Sequence, residues 1–320
     1  MEGILSRSYE GGSIPLARPL APGVSSVNLN DPAFSDLAGA LTGVKPVTYT
    51  DCSPERAPRL KDLCGKLGLR YLPVEEFLGR ESHHQRRGKR IYLIGRDLKI
   101  LKAAALAWKD PENNERWAGI LGYPECCILM FSKWLKTLGR GPDLVEMSYR
   151  NTPEKEKLDF RLNNVCNYSS RIHHNGVIDR RNFEKFTAFN RRYIFHALHV
   201  IGWHPCSYAC RESLKKAAVI FSFMRHHAPD YAATLQAALA KPVLFWGKFR
   251  FAFLEGRVAG ESVFSSAVSL PRSLLEDRKY RLLAFSEEIR LGRKRAEFLR
   301  EGAPPLFSRS FRPIVLNFVK

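Results

Sequence analysis

The sequence contains no run of eighteen apolar residues, so nothing in it predicts a membrane-spanning helix. Residues 1–7 lack the basic start and the apolar stretch of a secretory signal peptide. No phosphate-binding glycine loop is present, because Gly11-Gly12 has neither a strand before it nor a lysine after it. These absences argue against a membrane span and secretion, and we expect a cytoplasmic protein.

Acidic residues are few relative to basic ones, 32 against 51, which gives a formal net charge of +19. Such a charge attracts nucleic acid or other polyanions, although it also suits a well-solvated surface. No RNA-recognition, KH, zinc-finger or helix-turn-helix motif accompanies it. The basic residues are spread along the chain, with clusters at Arg86, Arg87, Lys89 and Arg90, at Arg180, Arg181, Arg191 and Arg192, and at Lys279, Arg281, Arg293, Lys294 and Arg295.

The composition is that of a folded globular protein. With 320 residues, 45% of them hydrophobic, the chain can bury a sizeable core in one large or two modest domains. Its seven cysteines fit a reducing cytoplasm, where thiols remain available to bind metal, and the odd number argues against a fully paired disulfide framework. The oligomeric state is not predicted.

Two short segments each place an aromatic residue, a proline and a cysteine pair directly before an amphipathic run. They are residues 122–127, GYPECC, and residues 203–210, WHPCSYAC. Proline is favoured at the first position of a helix, where its missing N–H group costs nothing. We therefore expect Cys126 and Cys127 in the first turn of one helix. Cys206 and Cys210 are expected in the first two turns of another, on one face.

Helix N-termini favour thiolate over thiol, because their unpaired N–H groups and the helix dipole attract negative charge. Four thiolates gathered by two such ends would form a metal or iron–sulfur site. Two other interpretations stay open. Cysteine is among the residues most often buried, so the four thiols could simply belong to the core, or they could carry out disulfide redox chemistry. The paired CxxC spacing of a zinc ribbon is absent.

On these residues the chain resembles an uncharacterised family of archaeal and bacterial proteins that share a GYPxCC block and an HxPCSxxC block. The resemblance covers roughly residues 115–225 and implies a shared site without implying a reaction. The adjacent cysteines with a second cysteine pair are also similar to the arrangement in one class of epoxyqueuosine reductase. In that class the second pair is CxxC, whereas here it is CxxxC.

We expect a [4Fe–4S] cluster in preference to Zn²⁺, because adjacent cysteines suit several irons better than one tetrahedral ion. If only three cysteines bind, the open iron could accept a substrate atom. His204, Glu125 and Tyr123 would then be the nearest acid–base candidates. His204 directly precedes Pro205 and Cys206, and an imidazole titrates near neutral pH.

Three further residues are weaker candidates. Residues 182–201 have the clearest helical periodicity in the chain and carry His196 and His199, each more readily explained as a structural residue. Cys166 is a possible fifth sulfur near the site, although a lone cysteine is usually structural.

The order of predicted elements indicates an α+β fold in four parts. Residues 45–110 are predicted to contain a sheet with mostly parallel strands, and the C-terminal hairpin to be followed by a highly charged helix at 273–301. The four parts are an extended arm at 1–44, a small α/β unit at 45–110, a helical domain with the cysteine site at 111–240, and a β-hairpin plus long helix at 241–320.

Two classes of function follow. The first is an iron–sulfur or other metal-dependent enzyme that acts on an anionic substrate such as a nucleotide, an RNA or a modified peptide. The second is a non-catalytic nucleic-acid-binding or scaffold protein with a structural zinc. A labile coloured chromophore would mark the first class, and a colourless protein with one zinc would mark the second.

Overall fold

The computed structural model describes residues 12–29, 32–79, 89–108, 114–137, 142–170, 197–247, 250–268, 278–292 and 295–320. Helices and antiparallel sheets both contribute, which confirms the α+β fold class. Within these residues no helix is both long and apolar enough to cross a bilayer. The domain boundaries stay a prediction.

In the described residues the helices are α1 Phe34–Thr42, α2 Ala57–Lys66, α3 Val74–Leu78, α4 Leu98–Ala107, α5 Asn114–Ile120, α6 Glu125–Lys136, α7 Leu144–Arg150, α8 Val165–Ser170, α9 Arg211–His227, α10 Pro229–Leu239 and α11 Arg278–Phe285. The strands are β1 Ser13–Pro15, β2 Ser26–Asn28, β3 Val47–Cys52, β4 Arg70–Pro73, β5 Arg90–Gly95, β6 Leu158–Asp159, β7 Pro242–Gly247, β8 Arg250–Ala259, β9 Ser262–Val268, β10 Glu288–Leu291, β11 Ala296–Leu299, β12 Leu306–Ser308 and β13 Ile314–Val319.

The described part of the N-terminal segment differs from the extended arm predicted for it. Strands β1 and β2 pair as an antiparallel hairpin, and helix α1 follows them. Ile14, Leu29 and Phe34 are fully buried in the main hydrophobic core. The abundance of Gly, Ser and Pro hid the apolar residues that anchor the hairpin. Helix α1 packs against α9, the helix that follows Cys210.

The three-stranded sheet has the order β3-β5-β4, and both of its pairings are antiparallel. The prediction of mostly parallel strands is therefore wrong. Strands β3 and β4 do run in the same direction across helix α2, but β5 lies between them. Five of the six residues of β5 are buried, as expected for a central strand packed on both faces. No local sequence pattern indicates that β5 lies between the two strands that precede it in the chain.

A buried ion pair lies against α1. The Lys45 side chain is 3% exposed, and its Nζ lies 2.5 Å from Asp36 Oδ1. His199 Nε2 lies 3.7 Å from the other carboxylate oxygen, Asp36 Oδ2. A Cβ atom at Gly39 would lie 2.7 Å from Lys45 Cδ, so the glycine makes room for the lysine stem across the helix. The cluster joins α1 to the loop that leads into the second cysteine segment.

The central region contains helices α5 to α10. Helix α6, Glu125–Lys136, begins directly after Pro124, where the sequence predicts a helix to start. The helix predicted to begin at Cys206 begins instead at Arg211. Of the helix predicted at 182–201, only residues 197–201 lie within the described residues, and these are not α-helical. His196 lies outside the described residues.

Strands β7 to β13 of the C-terminal region, together with the short β6, form an eight-stranded sheet with the order β12-β11-β10-β9-β8-β7-β13-β6. The predicted hairpin had its turn at 254–257, but these residues lie inside β8, and three antiparallel strands, β7, β8 and β9, occupy the segment. The long helix predicted at 273–301 is also wrong, because α11 ends at Phe285 and β10 and β11 follow it. Ile289, Ala296 and Phe298 are almost fully buried and alternate with charged residues. A period of two is typical of a strand, and the high charge of the segment obscured it.

Candidate metal centre

The first cysteine pair lies at the N-terminus of α6, as predicted. Pro124 is the N-cap residue and Glu125 the first helical residue, so Cys126 and Cys127 fall in the first turn. Gly122 has φ +78°, and a Cβ atom there would lie 2.5 Å from the Val44 carbonyl oxygen. A positive φ and this close backbone approach both require glycine. The turn from α5 into α6 therefore depends on it.

The second pair lies one turn earlier relative to its helix than predicted. Cys210 is the N-cap of α9, and its Sγ accepts a hydrogen bond from the Ser213 N–H at 3.5 Å. Cys206 lies in the preceding turn, so the two sulfurs do not share a face of one helix. The Cys210 N–H donates to the Ser207 carbonyl at 3.0 Å and closes this turn. A sulfur atom thus occupies the capping position that an oxygen usually takes.

Helix α7 and the two residues that follow it hold the second cysteine segment in place. The Ser148 hydroxyl donates to the Pro205 carbonyl at 2.6 Å, and the Asn151 side chain donates to the Cys206 carbonyl at 3.0 Å. The Tyr208 N–H donates to the Thr152 hydroxyl at 2.9 Å. Sequence analysis missed these supporting residues, and no spacing in the sequence identifies them.

The four cysteine sulfurs come together. Cys126 Sγ lies 3.9 Å from Cys127 Sγ and 3.6 Å from Cys210 Sγ, and Cys127 Sγ lies 3.8 Å from Cys210 Sγ. With Cys206 included, all four sulfurs lie within 4.8 Å of one another. Among the described residues, this is the cluster of His, Cys, Asp and Glu donor atoms close enough to hold a metal ion.

Buried donors surround the Cys127 sulfur. The Cys206 N–H donates to Cys127 Sγ at 3.2 Å, and Ser213 Oγ lies 3.3 Å from the same sulfur. The Trp203 indole N–H donates to Ser213 Oγ at 2.9 Å, which leaves the hydroxyl proton of Ser213 to point at the sulfur. Such second-layer hydrogen bonds fix the orientation of a metal-binding side chain and stabilise its negative charge.

Hydrogen bonds within the cluster separate the pKa values of the cysteines. Bonds from Cys127 and Cys206 lower the pKa of Cys210 far below the usual thiol range. Hydrogen bonding to Cys206 and Cys210, together with desolvation, raises the pKa of Cys127. A metal ion has to displace a proton from Cys127, so metal affinity rises with pH.

The predicted acid–base residues lie around this cluster without joining it. The Tyr123 ring packs on Trp203 with ring centroids 5.3 Å apart, and its hydroxyl donates to the Gly202 carbonyl at 3.5 Å. The His204 and Tyr168 rings pack edge to face, with their centroids 4.4 Å apart. Glu125 is exposed next to Cys126. Their roles stay predictions.

Cys166 and His199, the other candidates within the described residues, are structural in their surroundings. Cys166 is fully buried in α8, where desolvation raises the pKa of its thiol, and it is not among the clustered sulfurs. His199 is also fully buried, next to Asp36.

Comparison of this chain with models of protein families, with curated proteins and with solved structures finds no match. The site itself is therefore the guide to function. The donor set fits a cation, because four sulfurs at these separations would repel one another as thiolates unless a positive ion lay between them. Four nearby cysteines could hold a metal ion.

Replacing Gly122 by alanine is expected to destabilise the protein by about 1–3 kcal/mol, because alanine at positive φ is strained and its Cβ meets backbone. The matched control is Gly119→Ala in helix α5, where an added Cβ meets nothing within 4 Å. That change is expected to be neutral or to stabilise by up to about 1 kcal/mol. Urea unfolding measures the change in the free energy of unfolding for each of the two variants. Equal destabilisation of the two would contradict the role assigned to Gly122.

Proposed function

We propose that the four cysteines bind one Zn²⁺ ion in a closed tetrahedral site. The supporting observation is the set of sulfur separations, 3.6, 3.8 and 3.9 Å. Four ligands about 2.3 Å from one tetrahedral ion stand about 3.8 Å apart. A [4Fe–4S] cluster, favoured on sequence grounds, needs a wider cage, because each thiolate binds a different iron on the outside of the cluster.

The position of the site supports a structural role for the ion. Cys126 and Cys127 belong to α6, Cys206 to the turn held by α7, and Cys210 to the start of α9. One ion thus connects two segments that lie 84 residues apart in the sequence, and α7 holds the second of them. Four sulfur ligands leave no open position for a substrate, which is typical of structural zinc.

The proposed function is therefore that of a zinc-stabilised, non-catalytic protein that binds polyanions such as nucleic acid. The net charge of +19 favours such partners. A cleft of about 300 Å³ between the turn that joins β1 to β2 and helix α2 adds a local site. It is lined by the exposed cations Arg56 and Arg59, by Lys66 paired with Asp62, and by the hydroxyl-bearing residues Ser25 and Ser26. Arginine and hydroxyl groups are common partners of phosphate.

Anaerobic purification followed by metal analysis tests the metal assignment. The expected result is a colourless protein that contains one zinc per chain and no iron. A brown protein with about four irons per chain would overturn the zinc assignment in favour of the cluster. A protein that takes up neither metal, even after reconstitution, would overturn the metal site itself.

Binding to a single-stranded oligonucleotide tests the polyanion partner. We expect Arg59→Ala to weaken binding and to reduce the slope of log Kobs against log[salt] by about 0.7, as for one lost phosphate contact. The matched control is Arg290→Ala, because Arg290 Nε already lies 2.7 Å from Glu288 Oε1. The control is expected to leave the slope unchanged. An identical slope for Arg59→Ala and the unmodified protein would remove the cleft from the binding surface.

A second candidate function, the metal-dependent enzyme acting on an anionic substrate, is favoured by one observation. Cys126 is exposed, so a substrate atom could replace its sulfur at the ion. Glu125 and Tyr123 are its neighbours in the chain, and His204 adjoins the second segment. Turnover would then require the Cys126 sulfur to leave the ion. If the protein is such an enzyme, a Cys126→Ser variant that keeps its metal is expected to retain the activity. The non-catalytic function predicts no activity in either protein.

A further inference from the structure

The Cys126 sulfur differs in accessibility from the other sulfurs of the cluster. Cys126 is exposed, whereas Cys127 is 2% exposed and Cys210 is 7% exposed. Cys206 is partly buried. Cys126 belongs to the outer side of α6, whereas Cys127 and Cys210 belong to the main hydrophobic core. A molecule in solution therefore reaches the proposed zinc site through Cys126.

The hydrogen bonds at the sulfurs differ in the same direction. Cys127 Sγ accepts from the Cys206 N–H, and Cys210 Sγ accepts from the Ser213 N–H. Within the described residues no backbone N–H or hydroxyl group donates to Cys126 Sγ, whose contacts are with two other sulfurs. A hydrogen bond to a thiolate stabilises its charge and makes the sulfur less nucleophilic. Cys206 Sγ also has no such donor among the described residues, but Cys206 is partly buried, so Cys126 is the more exposed of the two sulfurs that lack one.

A metal-bound thiolate is deprotonated at neutral pH without the help of a base, and the thiolate is the nucleophilic form of cysteine. A tetrahedral ion with four thiolates carries a net charge of −2, which keeps electron density on the sulfurs. Of the two sulfurs without an N–H or hydroxyl donor, Cys126 and Cys206, the more exposed Cys126 is then the more reactive.

We propose that Cys126 is a stoichiometric acceptor of alkyl groups from soft electrophiles, an activity that rests on the proposed zinc site. The sulfur lone pair attacks a saturated carbon, an S–C bond forms, and the bond from that carbon to its leaving group breaks. The leaving group departs with the electron pair. No proton moves and no oxidant is needed. The product is a neutral thioether in place of an anionic ligand, so alkylation weakens the hold on the ion.

The chain contains internal comparison thiols. Cys52, Cys64 and Cys166 are at most 2% exposed and lie outside the cluster. Burial raises the pKa of Cys64 to about 11, which disfavours its thiolate. These three thiols are expected to remain unmodified while the protein is folded.

The test is limited alkylation of the zinc-loaded full chain by iodoacetamide, with iodide as the leaving group. Zinc content is measured first, and the modified sites are mapped by mass spectrometry of peptides. We expect the first adduct at Cys126, about tenfold or more ahead of any of the other six cysteines. A Cys126→Ser variant is expected to lose this fast phase. Cys64→Ser is the matched control and is expected to keep it.

The outcomes separate the two proposals. A protein that carries zinc but is alkylated first at Cys206, or equally at several cluster cysteines, overturns the acceptor role and leaves the zinc site standing. A protein that binds no zinc overturns the proposed function and this inference together. The mapping on the unmodified protein decides the matter even if Cys126→Ser fails to fold.

Discussion

Replacing Cys127 by serine is expected to reduce the zinc content from one ion per chain to less than about 0.1 and to lower the melting temperature by about 10 °C or more. Cys127 is 2% exposed and lies at the centre of the cluster, where it accepts from the Cys206 N–H and contacts Ser213 Oγ. A hydroxyl group is a poor zinc ligand at neutral pH. Removal of zinc by a chelator is expected to have the same effect on the unmodified protein.

The size of this effect follows from the energy of a structural zinc site. Apparent binding free energies reach about 10–16 kcal/mol in zinc-dependent folds, which is comparable with the whole stability of a domain. The loss is expected to be local to α6, the turn at Cys206 and the start of α9, which the ion joins. Hydrogen exchange of these segments, compared with the eight-stranded sheet, would locate it.

Cys64→Ser provides the control for that experiment. Cys64 is also 2% exposed and packs in the same main core, but it lies in α2 and is not among the clustered sulfurs. It is expected to lose some stability through burial of a hydroxyl group while keeping one zinc per chain. A Cys127→Ser protein that keeps its full zinc content would contradict the proposed ligand set.

The second large effect is expected at the buried ion pair. Lys45→Met is expected to cost about 3–5 kcal/mol, because it removes the ammonium group that balances the charge of the buried Asp36 carboxylate. Methionine keeps most of the lysine stem, so loss of packing contributes little. The Asp36 side chain is only 12% exposed, and water cannot replace the ammonium group efficiently. Chemical denaturation of the variant measures the change in the free energy of unfolding.

Two further variants separate a buried pair from an exposed one. Lys66→Met removes the partner of Asp62 at 2.7 Å, but these side chains are 44% and 60% exposed. It is expected to cost less than about 1 kcal/mol. Removing both charges, with Asp36→Leu added to Lys45→Met, is expected to restore most of the lost stability. Equal costs for Lys45→Met and Lys66→Met would refute the account of the buried pair.

The cysteine cluster could be anticipated from the sequence because each of its two cysteine pairs lies in a short segment beside a proline. A proline followed by cysteines predicts where a helix begins, and this placed Cys126 and Cys127 correctly. The prediction for Cys206 and Cys210 was wrong by one turn, because hydrogen bonds from Ser148, Asn151 and Thr152 hold that segment as a turn. These residues are more than fifty positions away in the chain.

The sheets were harder to predict for a different reason. The order β3-β5-β4 depends on which strand fills the space between two others, and that choice is made by packing over long distances. In the C-terminal region the alternation at Ile289 and Phe298 was present in the sequence. Its charged neighbours are equally typical of an exposed helix, so composition alone favoured the wrong element.

X-ray absorption spectroscopy of the metal in the purified protein tests the central claim most directly. We predict a zinc edge with four sulfur ligands at about 2.3 Å and no second metal nearby. An iron edge with neighbouring iron atoms, or a zinc ion bound mainly by nitrogen and oxygen, would contradict it.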